Sequence, residues 1–154
     1  MDLGVNIDNK LKFADHINNI ITKANQCKSL ILRCFLSRNP TTLIQAFKVY
    51  IRPLLEYASV IWSPSYVGQI IRLESVLSDF TKRIPAGILG CGQLSYNERL
   101  SLLGLETLQL RRLKFDVIMC FNIIKSNNCL NVEQFFTLNP NKNLRGHPFK
   151  VVVP

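Results

Sequence analysis

The strongest constraint on the fold is an apolar repeat of three or four residues that starts just after Asp15. Apolar side chains at this spacing fall on one face of an α-helix, which we expect to run to about Ser37. The face comprises Ile17, Ile20, Ile21, Ala24, Cys27, Ile31, Cys34 and Phe35. Because Lys23, Lys28 and Arg33 lie opposite, the pattern predicts an amphipathic helix that packs against other helices.

A second helix is predicted after Asn39, whose side chain can cap it, with Pro40 in the first helical position. It runs into the stretch VYIRPLLEYASVIW, where Pro53 lacks a backbone N–H. We therefore expect the helix to bend at Pro53 or to restart with Pro53 in its first turn. Arg52 and Glu56 are four residues apart and can pair across this point.

Further helices are expected downstream. One covers about residues 67–83, and a capping box that begins at Ser95 opens a shorter one that ends at Gly104. Thr107 caps another long helix, and Asn131 caps a last turn. The inward face of the long helix is predicted to be Leu110, Leu113, Val117, Cys120, Ile123 and Ile124.

The N-terminal residues have a different period. Leu3, Val5 and Ile7 alternate with polar residues, an Asp-Asn-Lys turn follows, and the alternation resumes through Phe13. This pattern predicts a β-hairpin, although no other strong strand pattern is present with which it would pair. The fold class is therefore mainly α, a helical bundle with a short N-terminal β-hairpin. We divide it into a hairpin (1–13), a first group of helices (14–84), a downstream helical segment (85–136) and an extended tail (137–154).

The charge of the chain suggests its partner. There are 19 Lys plus Arg against 10 Asp plus Glu, a net charge of +9, and this excess favours a polyanion such as nucleic acid. The bias is strongest on the first two helices. The candidate nucleic-acid-binding residues are Lys23, Lys28, Arg33, Arg38, Lys48, Arg52, Lys82, Arg83, Arg111, Arg112 and Lys114. The competing interpretation is that they are the solvated faces of amphipathic helices.

No pattern of catalytic or metal-binding residues is found. The ten acidic residues are scattered, with no two adjacent, whereas metal-dependent polymerases need converging carboxylates. Neither His16 nor His147 lies in a nucleophile or zinc motif. The five cysteines form no CxxC pair and are interpreted as small core residues of a reduced, intracellular protein. No apolar run is long enough to span a membrane, so no membrane association is expected.

The order of the segments resembles a known family. LGVNIDNKLKFADHINNIITKANQ, RNPTTLIQAFKVYIRPLLEYASVIWSP, LESVLSDFTKRI, LSYNERLSLLGLETLQLRRLKFDVIMCFNIIK and LRGHPFK follow one another as in LINE-type (non-LTR, jockey-like) retrotransposon reverse transcriptases. The similarity is to the thumb and the region downstream of the catalytic motifs, and RPLLEYASVIW is its most specific segment.

The resemblance implies a fragment of an RNA-directed DNA polymerase. Its helices would hold the backbone of an RNA–DNA or DNA duplex, and the hairpin would be the segment through which the chain leaves the palm. The palm, with its Tyr-Ala-Asp-Asp type motif and its Mg²⁺, would precede Met1, so this chain is expected to be inactive alone and to need no cofactor. We also expect it to be broken at its C-terminal end, and to act in the nucleus if it is functional.

A second function remains open at this point. A helical bundle whose apolar edge is exposed can serve as a non-catalytic module, derived from a mobile element, that binds a partner protein or self-associates.

Overall fold

The computed structural model describes residues 3–9, 11–35, 39–84, 94–125, 130–139, 145 and 149–152. The chain forms two compact units, Met1–Leu113 and Lys114–Pro154. Helices dominate the described residues, as the sequence predicts. They are α1 (Ala14–Cys34), α2 (Pro40–Ala46), a π-helix (Phe47–Ile51), α3 (Arg52–Glu56), α4 (Ser59–Trp62), α5 (Val67–Lys82), α6 (Tyr96–Leu103), α7 (Leu108–Ile124) and a 3₁₀ turn (Val132–Gln134).

The core of the first unit forms around α1. This helix packs against α5, α3 and the π-helix, and α5 also contacts α6. The apolar face predicted for α1 is buried at Ile17, Ile20, Ile21, Ala24 and Ile31. The largest side chains in the core are Trp62, Phe47 and Phe80, of which the two phenylalanines have ring centroids 5.0 Å apart. Burying a side chain of this size stabilises the fold by about 1.5–3 kcal/mol.

Helix ends follow the sequence closely. The Asn39 side chain accepts a hydrogen bond from the Thr41 N–H at 2.9 Å, with Pro40 in the first position of α2. The capping box at α6 is complete, because Ser95 and Glu98 each accept a hydrogen bond from the other's backbone N–H. These predicted caps are confirmed.

The Pro53 region is a restart of the helix. The backbone N–H of Arg52 bonds to the carbonyl of Phe47, five residues back, which closes the wide turn of the π-helix. Pro53 then lies in the first turn of α3, where its missing N–H costs little. The chain leaves α3 through Ala58, whose φ of +53° is left-handed, and the Trp62 indole N–H bonds to the Tyr57 carbonyl at 2.7 Å. The predicted restart is confirmed.

The predicted N-terminal β-hairpin is wrong, since residues 3–9 and 11–13 contain no strand. Leu3, Leu11 and Phe13 have φ values of 43°, 52° and 51°, which turn the chain instead of extending it. The physical reason is that a lone hairpin has no neighbouring strand to stabilise it. Packing onto the helices stabilises the segment more than pairing with itself would. Val5 is accordingly buried in the core.

The face predicted to be inward on α7 is also largely wrong. Leu110, Leu113, Val117 and Cys120 are exposed, whereas Ile123 is buried as expected. In the first unit the buried residues of this helix are Leu108 and Arg112, which are four apart and share a face. The cysteine prediction is confirmed only for Cys27, which is half-buried and packs against the core. Cys34 and Cys120 are exposed, and Cys91 and Cys129 lie outside the described residues.

In the second unit, the described residues after α7 are mostly irregular. Asn131 caps the 3₁₀ turn by accepting from the Glu133 N–H at 3.2 Å. Leu138 and Val151 form an isolated antiparallel bridge. The Lys125 ammonium lies 4.6 Å from the centroid of the Phe149 ring. None of the described helices is both long enough and apolar enough to cross a membrane.

Candidate nucleic-acid interface

The predicted basic residues fall into three structural groups. Lys23, Arg33, Lys82 and Arg83 are exposed, and no ion pair involves them within the described part of the chain. Lys28, Arg52, Arg111 and Arg112 are buried or paired with acidic groups. Lys48 is half-buried, Lys114 is exposed in the second unit, and Arg38 lies outside the described residues.

Arg33 and Arg83 line one cleft where α1 and α5 end. The cleft has a volume of about 440 Å³, and its other lining residues are Ser29, Leu32, Phe35 and Leu43. Arg33 lies in the last turn of α1 and Arg83 directly follows α5. The packing of α1 on α5 places both arginines in the lining of one cleft, although they are 50 residues apart in the sequence.

An ion pair joins the two helices beside this cleft. The Lys28 ammonium on α1 lies 3.7 Å from a carboxylate oxygen of Asp79 on α5. The pKa of Lys28 is lowered from its ordinary value, chiefly by desolvation and also by the charge of Arg83, while Asp79 acts in the opposite direction. Lys28 is thus a structural residue of the α1–α5 contact.

The positive charge of the side chains near the cleft is larger than the negative partial charge of the two helix ends. A helix C-terminus carries about −0.5 elementary charge, so the ends of α1 and α5 together contribute about −1. Arg33, Lys82 and Arg83 contribute three positive charges at these ends. Favourable interaction with the helix dipoles therefore accounts for only part of the basic cluster, and an excess of roughly two positive charges faces solvent.

A groove with a mostly apolar lining continues from this cleft along α1. It has a volume of about 610 Å³, shares Ser29 and Arg33 with the cleft, and is otherwise lined by Thr22, Asn25, Gln26, Leu30 and Cys34. Lys23 lies beside it on the exposed side of α1. Its hydroxyl, amide and guanidinium side chains are of the kinds that proteins use to contact sugars and phosphates. We call the cleft and this groove together the α1 surface.

The cations near α3 are held in an ion-pair network. Arg111 Nε and Nη2 bond to the two carboxylate oxygens of Glu56 at 2.5 and 3.0 Å, and Arg52 Nε lies 3.9 Å from the same carboxylate. The hydrogen bond to Glu56 raises the pKa of Arg111 above its ordinary value. Lys48, Arg52, Glu106 and Arg111 line a cleft of about 330 Å³.

The predicted Arg52–Glu56 pair is confirmed, whereas no sequence pattern indicated the stronger Glu56–Arg111 pair. Its members are 55 residues apart and no local spacing relates them. Because two arginines share one carboxylate, this cluster first of all fastens α3 to the start of α7.

A second buried polar network was also missed from the sequence. The Arg99 Nη1 group donates to the Leu94 carbonyl at 2.7 Å, and its Nε group lies 3.4 Å from the Thr81 hydroxyl. The hydroxyl of Tyr96 donates to a carboxylate oxygen of Glu74. Desolvation, followed by the contact with Glu74, raises the pKa of Tyr96. These contacts join α5 to α6 and are structural.

Within the described ranges, no three His, Cys, Asp or Glu side chains are grouped as metal ligands.

Comparison with known proteins gives one informative similarity. No family model matches the chain, and no solved structure matches it. An uncharacterized protein of Caenorhabditis elegans is 30% identical over 113 residues, which cover 73% of this chain and 56% of that protein. The chain thus spans little more than half the length of the curated relative that it matches.

Proposed function

We propose that this chain contributes the duplex-holding helices of an RNA-directed DNA polymerase from a non-LTR retrotransposon. In this role it binds the sugar–phosphate backbone of an RNA–DNA or DNA duplex, and no catalytic step is assigned to its own residues. The order of its sequence segments supports the family, and the α1 surface supports the binding. The observation that carries the proposal is that Arg33 and Arg83, from two different helices, line one open cleft.

The chemistry of this surface suits the phosphate groups of nucleic acid. A guanidinium group offers several N–H donors in a plane that match two phosphate oxygens. Backbone contacts of this kind hold a duplex in place without reading its sequence. Binding should accordingly tolerate changes of sequence and weaken steeply with salt, because each neutralised phosphate releases counterions.

The expected salt dependence follows from the number of exposed cations in the cleft and next to it. Arg33 and Arg83 line the cleft and Lys82 is exposed in the last turn of α5, so we expect three phosphate contacts. Three contacts give a slope of about −2.7 in log affinity against log salt, which is a loss of ~40-fold between about 50 and 200 mM salt.

The test is fluorescence anisotropy with a labelled RNA–DNA hybrid and a labelled DNA duplex of unrelated sequence. The double variant Arg33→Gln, Arg83→Gln should lower affinity and reduce the salt slope by about two, one for each lost phosphate contact. Arg72→Gln is the matched control, because Arg72 is also an exposed arginine of α5 but lies more than two turns from the cleft. If both variants bind like the unmodified chain, or if that chain does not bind at all, the proposal fails.

A second candidate function rests on a different surface. Val117, Ile118 and Phe121 on α7 are 60%, 55% and 56% exposed, an unusual density of large apolar side chains. They favour the non-catalytic interaction or self-association module. Size-exclusion chromatography with light scattering separates the two functions: this second one predicts oligomers that Val117→Ser, Phe121→Ser dissociates and that added nucleic acid leaves unchanged.

A further inference from the structure

His16 is a buried titratable group that the proposed nucleic-acid contact does not use. It lies in the first turn of α1, is 4% exposed, and its Nδ1 accepts a hydrogen bond from the Asn6 N–H at 3.3 Å. Its ring meets the Trp62 ring in a T-shaped arrangement, with centroids 5.4 Å apart. Because Nδ1 is the acceptor, the ring proton of neutral His16 is on Nε2. Nε2 is buried and has no hydrogen-bond partner among the described residues.

The segment that His16 holds has few other attachments. Residues 3–9 contribute one core side chain, Val5. The Leu3 carbonyl accepts a hydrogen bond from the Tyr57 hydroxyl at 3.0 Å, while the Leu3 and Ile7 side chains are exposed. Val5 also takes part in a β-bridge through its backbone. To the helices, the segment is fastened chiefly by one apolar side chain and two hydrogen bonds. One of these bonds ends on the only kind of side chain that ordinarily titrates between pH 5 and 8.

We propose that residues 3–9 form a latch that acid releases, because protonation of His16 at Nδ1 places an N–H donor against the N–H donor of Asn6. The hydrogen bond at 3.3 Å is then lost, and the two groups repel each other. A charged imidazolium has no acceptor at this buried position, since Nε2 already has none among the described residues. The charge is accommodated only when the segment leaves and water reaches the ring.

The charged groups around His16 act in both directions. On α1, Lys23 repels a second positive charge and favours release, whereas Asp15, the exposed carboxylate in the first turn, attracts it. In the N-terminal segment, an Asp8 carboxylate oxygen already accepts a hydrogen bond from the Lys12 N–H at 2.8 Å. Beyond α3, the Tyr57 hydroxyl donates to the Leu3 carbonyl.

The direction of the pH dependence follows from the pKa of His16. Desolvation, and secondarily Lys23, lowers this pKa below its ordinary value of 6.5. Since the free segment leaves His16 with a higher pKa than the docked segment, the latch is fully closed above about pH 6.5 and weakens as the pH falls through that value. Below both pKa values, docking is weakened by the factor by which the acid dissociation constants of His16 differ between the docked and free states.

The test measures hydrogen exchange of the Asn6 amide by NMR between about pH 7.5 and 5, either side of the ordinary histidine pKa. The protection factor of Asn6 should fall severalfold as the pH decreases, while the Leu73 amide in the middle of α5 stays protected. The fall should persist in His147→Gln, which removes the other histidine of the chain, and should vanish in His16→Gln. The fluorescence of Trp62, the single tryptophan, should report the same transition.

Tyr57→Phe supplies a test that leaves His16 in place. Loss of the Tyr57 hydroxyl weakens the latch, so the transition should move to higher pH, towards the ordinary histidine value. The proposal is overturned if Asn6 protection is constant in the unmodified chain, if it falls equally in His16→Gln, if Leu73 loses protection with it, or if Tyr57→Phe leaves the transition where it was. A His16→Gln chain that does not fold leaves the decision to Tyr57→Phe.

Discussion

Glu74 is expected to be one of the most important polar residues for stability, because a single carboxylate serves two helices. Its oxygens accept the backbone N–H groups of Leu108 at 3.1 Å and Gln109 at 3.3 Å, which open α7, and also the hydroxyl of Tyr96 on α6. The Thr107 hydroxyl accepts a hydrogen bond from a third N–H of the same turn, that of Leu110, at 3.2 Å. Changes at Glu74 leave this hydrogen bond in place. Replacing Glu74 with Ala therefore removes three hydrogen bonds and leaves the Thr107 cap in place.

The size of the effect can be worked out from these contacts. Loss of a helix cap costs about 1 kcal/mol, loss of a negative charge at a helix start costs about 0.3–1 kcal/mol, and a half-buried hydroxyl without its acceptor costs about 1–2 kcal/mol. Glu74→Ala should lower the free energy of unfolding by roughly 2–4 kcal/mol, or Tm by roughly 5–15 °C for a chain of this size. Glu74→Gln keeps an acceptor and should lose roughly half as much.

The assay is urea unfolding followed through Trp62, which is the single tryptophan and lies in the core of the first unit. Glu133→Ala is the control for removal of an exposed carboxylate. A double-mutant cycle with Tyr96→Phe should give a coupling energy of about 1 kcal/mol between Glu74 and Tyr96. If Glu74→Ala unfolds within about 0.5 kcal/mol of the Glu133→Ala control, the explanation of this network is refuted.

Two further predictions concern backbone geometry and alkaline pH. Gly104 ends α6 with a φ of +59°, so Gly104→Ala should lower the free energy of unfolding by about 1 kcal/mol. Gly68 lies in α5 with open space around its Cα, so Gly68→Ala should raise the free energy of unfolding by about 0.5–1 kcal/mol. Urea unfolding of the two variants should therefore give changes of opposite sign. Because the pKa of Tyr96 is raised in the folded chain, the folded state holds its proton longer, and stability should fall as pH rises above about 10. This alkaline loss should be smaller in Tyr96→Phe than in Tyr66→Phe, which alters an exposed tyrosine, and equal losses would contradict the assignment.

Local features of the fold could be predicted from the sequence because they depend on neighbouring residues. Asn39 with Pro40 and the capping box at Ser95 each satisfy backbone groups within one turn, and the structure contains both. The apolar face of α1 was predictable for the same reason, since one helix surrounded by partners buries its most apolar side.

Faces set by distant contacts could not be predicted. On α7 the apolar residues from Leu110 to Val117 form a good amphipathic pattern, yet the first turn is held by Glu74 and Glu56, which bury Leu108 and position Arg111 instead. At the N-terminus the alternating pattern was real, but only Val5 meets the core, because the chain turns at residues with positive φ.

The candidate site shows the same division between local and distant information. The basic face of α1 was readable from helical spacing, and it placed Lys23 and Arg33 on the exposed side. The packing of α1 on α5 determines that Arg33 and Arg83 line one cleft and that Lys28 pairs with Asp79. The identity of the duplex-binding residues therefore remains a prediction, which the arginine variants test.

The wide turn before Pro53 has a consequence for helical phase. Leu43, Phe47, Ile51 and Leu55 are all buried, a strict spacing of four residues. In an α-helix of 3.6 residues per turn, every fourth residue advances by about 40°, so three such steps would swing the buried line by about 120°. The π-helix takes more residues for its turn and so cancels part of this drift. Leu55 therefore still points into the core, and its neighbour Glu56 reaches Arg111.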